Sequence, residues 1–144
     1  METGGYFELE DFSGREYYAG ATALNLGRNC IRVLINKKNI RRIYLPVYLC
    51  GSLTEAVKRT GTEIVCYDIN EDFTPCLQSP VEENSWVYIV NYYGQLDNLK
   101  LEELRIKYGR IIVDNAQCFF RSRLTESIQF THAGNFSAFR MAHI

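Results

Sequence analysis

The amino-acid sequence predicts an α/β fold, a mainly parallel sheet with flanking helices. Three observations predict it. Apolar, β-rich runs alternate with helical patterns, and the connections between them are short. The run Trp86-Val87-Tyr88-Ile89-Val90 is continuously apolar, the mark of a strand buried on both faces. The run Ile111-Ile112-Val113 delivers an acid, Asp114, followed by Asn115, Ala116 and Gln117. In open α/β sheets ligands sit at that end of a strand.

The elements follow in order. Residues 1–20 are an aromatic, acidic leader without a clear period, expected to wrap a surface as loop. From Asn25 a helical pattern begins, with Cys30, Ile31, Leu34 and Ile35 at helical spacing. It ends in the basic turn Asn36-Lys37-Lys38-Asn39, suited to a helix C-terminus. Ile40 to Leu45 reads as a strand stopped by Pro46. Ser52 to Arg59 reads as a short helix, with Ser52 or Thr54 as N-cap and Gly61 as the stop. Glu63 to Tyr67 is the next strand, and residues 70–84 form a loop. After the apolar strand at 86–90, the spacing of Leu101, Leu104 and Tyr108 predicts a helix over 99–108, stopped by Gly109. The strand 110–114 follows, and Asn135 to Phe139 reads as one more.

At 144 residues the chain holds one domain's worth of core. A net charge of −1 offers no electrostatic reason to expect nucleic acid or an anionic membrane as partner. The five cysteines (Cys30, Cys50, Cys66, Cys76 and Cys118) are scattered, and none shows C-x-x-C spacing. Neither a metal site nor a redox dithiol is expected, and the usage fits a reducing, cytoplasmic setting. No segment has the length and apolarity of a signal peptide or membrane span.

Three places gather polar residues at element ends. The start of the first helix, Leu26-Gly27-Arg28-Asn29, offers backbone N–H groups and the positive end of a helix dipole as an anion seat; a plain helix start with an exposed Arg28 is the alternative. The loop Pro46-Val47-Tyr48-Leu49-Cys50 would put Tyr48 or Cys50 at the sheet rim, where an aromatic ring can stack on a planar ligand or merely pack. Asp114 stands with Asn115 and Gln117, and could serve a ligand or cap the following turn. No G-x-S-x-G elbow is present, and the two histidines, His132 and His143, belong to no recognisable catalytic set.

Taken together these segments resemble one family. Asn25-Leu26-Gly27-Arg28-Asn29, Tyr44 to Cys50, Asn91-Tyr92-Tyr93-Gly94, Val113 to Gln117 and Phe136-Ser137-Ala138-Phe139-Arg140 look like the N-terminal portion of a DegT/DnrJ/StrS-type aminotransferase. These enzymes use pyridoxal 5'-phosphate (PLP) on an aspartate-aminotransferase fold, and many act on nucleotide-linked keto-sugars in polysaccharide biosynthesis. The resemblance implies that residues 1–144 are a truncated part of the large, cofactor-binding domain. It implies that Asp114 pairs with the cofactor's ring nitrogen and that Gln117 approaches its phenolic oxygen. Gly27, Arg28 and Ser137 would hold its phosphate, and Tyr48 or Cys50 would stack on its ring. It also implies a homodimer acting on an amino donor and a keto-sugar, with no nucleic acid and no membrane as partner.

One departure stands out. The family's Schiff-base lysine should follow Ser137 by a few positions, and Met141 occupies that place. No lysine follows Lys107. Methionine cannot bond a carbonyl carbon through nitrogen. The expectation is therefore a chain inactive on its own, or a non-catalytic module for PLP or a nucleotide-sugar, or an interaction fragment.

Overall fold

A computed structural model describes residues 22–118, 128–133 and 136–141, the last two segments by their backbone. The expected leader at residues 1–20 lies outside the described residues. Eleven principal elements follow in order: β1 (Thr22–Leu24), α1 (Gly27–Lys38), β2 (Arg42–Pro46), α2 (Gly51–Lys58), β3 (Glu63–Ile69), β4 (Pro75–Cys76), β5 (Trp86–Val90), α3 (Asn98–Tyr108), β6 (Ile111–Asp114), β7 (Ile128–Ala133) and β8 (Phe136–Met141). A single 3₁₀ turn, Tyr92–Gly94, links β5 to α3.

The strands form one sheet in the order β1-β8-β7-β6-β5-β2-β3-β4. β3, β2, β5, β6 and β7 run parallel as neighbours. β8 lies antiparallel between β7 and β1, and β4 is an antiparallel edge. The α/β reading with a mainly parallel sheet is thus the architecture found.

Period-two alternation sorts β5 between two cores. Trp86, Tyr88 and Val90 pack with Cys30, Ile31 and Leu34 of α1 and Leu53 and Val57 of α2. Val87 and Ile89 pack on the other face with Leu96 and with Leu101 and Leu104 of α3. All five β5 residues are buried, as an apolar run covered on both faces requires.

Helix ends explain themselves locally. α1 stops where Asn39 enters the left-handed region at φ 51°, a conformation that asparagine tolerates. α3 starts where the Asp97 carboxylate accepts from Lys100 N–H at 2.7 Å, and it stops at Gly109, φ 76°.

The start of α2 differs from expectation. Its N-cap is Cys50, whose carbonyl accepts from Leu53 and Thr54 N–H, so Ser52 and Thr54 lie inside the helix. Three strands were not anticipated. β1 and β4 are too short to show a period, and β7 pairs within the tail. β3 also runs to Ile69, two residues beyond the expected end at Tyr67.

Candidate functional site

β2, β5 and β6 run parallel, so Pro46, Val90 and Asp114 end at one rim. β1 is antiparallel to β8, and β8 is antiparallel to β7, so β1 points the same way and Leu24 ends there too. The starts of α1 and α2 follow β1 and β2 directly and therefore open on the same rim. The topology thus gathers the three sequence segments expected to carry chemistry.

Asp114 is half-buried on the α1 face, two residues beyond Ile112, whose side chain joins the same core. One carboxylate oxygen, Oδ1, accepts from Ala116 N–H at 2.8 Å, an Asx turn. The other, Oδ2, accepts from the Tyr88 hydroxyl at 2.7 Å. Asp114 therefore caps its turn and also meets a second donor that the sequence pattern hid.

Its charge is felt by its neighbours. Burial, and then the Asp114 charge, push the Tyr88 phenol well above its usual range. Burial pushes the Cys30 thiol up to about 11, with a smaller contribution from Asp114. Burial, then Asp114, then Tyr48 push Tyr92 up to about 12. All three stay protonated around one carboxylate at neutral pH.

A latch of amides fixes the loops beside Asp114. Buried Asn91 donates through Nδ2 to Asn115 Oδ1 at 3.0 Å and accepts at Oδ1 from Leu96 N–H at 2.9 Å. Its own N–H donates to the Asp114 carbonyl at 2.9 Å. Gln117 Oε1 accepts from Tyr93 N–H at 3.0 Å, which identifies the oxygen and turns the amide N–H₂ outward as a donor. Gly94 is required here. Its φ is +70°, and a Cβ on it would stand 2.9 Å from Cys118 Sγ.

Aromatic rings line the rim above β2 and β5. Tyr48 is 63% exposed, and its ring centre lies 5.6 Å from that of Tyr92. Tyr92 donates its hydroxyl to the Tyr48 carbonyl, and Phe73 packs against Tyr92 and Tyr93. Of the two stacking candidates, Tyr48 presents a ring. Cys50 presents a thiol at the N-cap of α2, 3.0 Å from Ser52 Oγ. The Ser52 hydroxyl and N–H lower the Cys50 pKa, and the Arg28 charge adds to this in a small way.

The starts of α1 and α2 form the basic end of the rim. At α1 the Leu26 side chain makes no capping bond and Asn29 N–H already donates to the Leu26 carbonyl at 2.9 Å, which leaves the Gly27 and Arg28 N–H groups as the anion seat. A cleft of about 370 Å³ between the helices is lined by Arg28, Arg32, Ser52, Glu55 and Arg59. The described lining sets three arginines against one carboxylate, Glu55, whose Oε1 lies 3.3 Å from Arg59 Nε, so it carries surplus positive charge.

Three further positions lie on β8 and α3. The backbone of Ser137 pairs with Leu24 and His132, which brings it to the rim close to the start of α1. Met141 pairs with Ile128, four residues down β8, whereas Asp114 is level with Phe130 and Phe139. Lys107 lies in the last turn of α3, which ends just before β6 begins, so it belongs to the strand-entry end of the sheet. Its Nζ sits 5.1 Å from the Tyr108 ring centre. Among the described residues no cluster of metal-ligating side chains occurs, and no helix is long and apolar enough to cross a membrane.

The donor set suits a planar heterocycle bearing phosphate: an acid, an aromatic shelf, an amide donor and a basic helix-start seat. Sequence reasoning missed Tyr88, and it quoted Asn91 and Tyr92 within a family-like segment without giving either a role. Tyr88 joins Asp114 on the α1 face through the β5–β6 register, which the sequence pattern does not show.

No protein-family model and no curated protein matches the chain. Solved structures do. DesV of S. venezuelae is 19% identical with a TM-score of 0.64, over 85% of this chain and 40% of that chain. NtdA of Bacillus subtilis, solved with bound cofactor PMP, is 15% identical with a TM-score of 0.67, over 86% of this chain and 33% of its own. A DegT DnrJ EryC1 StrS aminotransferase from Brucella abortus is 15% identical with a TM-score of 0.63, over 85% and 42%. At these identities the likeness establishes the fold, which is that of part of these aminotransferases. The chain spans about four tenths of the length of the solved structures it matches.

Proposed function

We propose that residues 1–144 are the N-terminal part of the large, cofactor-binding domain of a PLP-dependent aminotransferase of the DegT/DnrJ/StrS type. Its substrates are an amino donor and a nucleotide-linked keto-sugar, it works in the cytoplasm, and it assembles as a homodimer. The observation that carries the reading is the placement of Asp114, held by two donors at the rim where α1 and α2 begin. The five ordered motifs and the fold shared with DesV and NtdA support it.

When bound, PLP supplies an electron sink for charge developing at an amine carbon. This chain's residues do the rest. Asp114 would hold a proton at the ring nitrogen, because an ionised carboxylate beside a pyridine favours its charged form. Arg28 and the first N–H groups of α1, with Gly27 allowing close approach and Ser137 nearby in register, would bind the phosphate. Gln117 would offer its outward amide N–H₂ to the phenolic oxygen. Tyr48 would cover the ring, and Cys50 stands beside it. No residue of this set is a lysine, and Met141 cannot replace one. The chain by itself therefore binds the cofactor without performing transamination.

Equilibrium dialysis against PLP and pyridoxamine 5'-phosphate (PMP), then borohydride reduction and peptide mass analysis, tests this. Saturable, fully dialysable binding of both is expected. A borohydride-stable adduct on Lys107, or turnover by the chain alone, contradicts the inert reading. Absence of binding contradicts the cofactor reading.

A further inference from the structure

We propose that Tyr88 is the positioning residue of this site, and that its buried hydroxyl fixes the Asp114 carboxylate in the orientation that recognises a pyridine ring nitrogen. The inference rests on the cofactor reading above and deepens it.

The geometry begins with strand pairing. Tyr88 on β5 is level with Ile112 on β6, so Asp114 lies one side-chain step further toward the rim on the same face. The phenol spans that step and ends 2.7 Å from Oδ2. The ring is 1% exposed and packs in the core beneath α1 and α2, so its hydroxyl has little freedom to turn elsewhere. Strand β5 is pinned in turn, because buried Tyr67 donates its hydroxyl to the Tyr88 carbonyl at 2.6 Å.

Two donors that Asp114 meets among the described residues differ in kind. Ala116 N–H belongs to the same turn and moves with it. Tyr88 comes from a neighbouring strand and ties the carboxylate to the sheet. A carboxylate held by its turn alone can rotate with the loop, whereas one held also from the core keeps its plane. Such pre-organisation strengthens recognition by removing an ordering cost at binding. Burial and the Asp114 charge also keep the phenol protonated, so it donates across the whole working pH range. The charged groups facing this pair in the described structure are Asp114 itself and, beyond it, the titratable Cys30, Tyr67 and Tyr92.

The test compares PMP with its analogue in which the ring nitrogen is replaced by C–H, each titrated into the full chain by calorimetry. Tyr88→Phe removes one oxygen from the core. It should weaken PMP about tenfold, the loss expected for one charge-assisted hydrogen bond's worth of orientation, and leave the analogue's affinity in place. Thr62→Val, the loss of a buried hydroxyl hydrogen bond to the Ile40 carbonyl at the strand-entry end of the sheet, should lower stability without changing the PMP-to-analogue ratio. Should Tyr88→Phe fail to fold, 3-fluorotyrosine at position 88 keeps the size and the hydroxyl. Its fluorine makes that hydroxyl a stronger donor to Asp114, so the PMP-to-analogue affinity ratio should rise, and a fall in the ratio contradicts the role.

Equal weakening of both ligands, or unchanged PMP affinity, overturns the role of Tyr88 and leaves the cofactor reading standing. Failure of the unaltered chain to bind PMP overturns both.

Discussion

The two faces of the sheet are built from the same strands and do different work. The α3 face is sealed by Val87, Ile89, Ile111 and Val113 against Leu101 and Leu104, with the Tyr44 and Tyr67 hydroxyls turned to backbone partners. The α1/α2 face buries a comparable apolar set, but threads a phenol, a thiol and a carboxylate through it toward the rim. Alternation along β5 and β6 alone assigns Tyr88 and Asp114 to that second face. One face therefore sets stability, and the other spends part of its core on holding a polar group in place.

The comparison can be broken most sharply from the sealed side. Leu101→Ala should destabilise the chain by about 2–5 kcal/mol in urea titration, the usual cost of a large core truncation. It should leave PMP affinity of the folded fraction unchanged. A large loss of affinity would show that the faces are coupled.

Alkali probes the other face. Burial pushes the Cys30 thiol from its ordinary value of 9.0 up to about 11 in the fold. The folded chain thus holds that proton more tightly than the unfolded chain. The stability this contributes is complete below pH 9 and is lost as pH rises through 11. Tyr92, raised to about 12, extends the loss upward. Urea midpoints measured across this range should fall, and Cys30→Ala should flatten the fall between pH 9 and 11. An unchanged slope would remove Cys30 from the account.

Cutting the cap of α3 is a smaller test. Asp97→Ala removes the acceptor for Lys100 N–H and should cost about 1 kcal/mol. The rim should not register it. The smallest effect expected is one of rate. Cys50 is exposed with a lowered pKa, and Cys30 is buried with a raised one, so iodoacetamide near pH 8 should label Cys50 well before Cys30. Peptide mapping over time checks the order.

Much of this was legible in the sequence where a residue's local physics decides. The apolar run Trp86–Val90 could only be a covered strand. Gly109 stops α3 by its positive φ, as its place after an amphipathic run implies, whereas the Asp97 cap was not read from the sequence. Asp114 declared itself by breaking an apolar run at a strand end. What stayed hidden depends on neighbours distant in the chain. Tyr88 reads as one more apolar residue until β6 is laid beside β5. The Asn91 latch needs Asn115, Leu96 and the Asp114 carbonyl together. The N-cap of α2 fell to Cys50 because the turn after Pro46 sets where the helix starts, whatever capping residues follow. Two- and three-residue strands such as β4 and β1 exist through their partners and carry no period of their own.

The most direct measurement uses PMP labelled with ¹⁵N in its ring, bound to this chain and to Asp114→Asn, with the nitrogen signal followed by NMR from pH 7 to pH 9. The account predicts a protonated ring nitrogen throughout that range in the unaltered chain, and a neutral one in the variant. A neutral nitrogen in the unaltered chain, or identical signals in the two, would contradict the claim that Asp114 faces a cofactor ring.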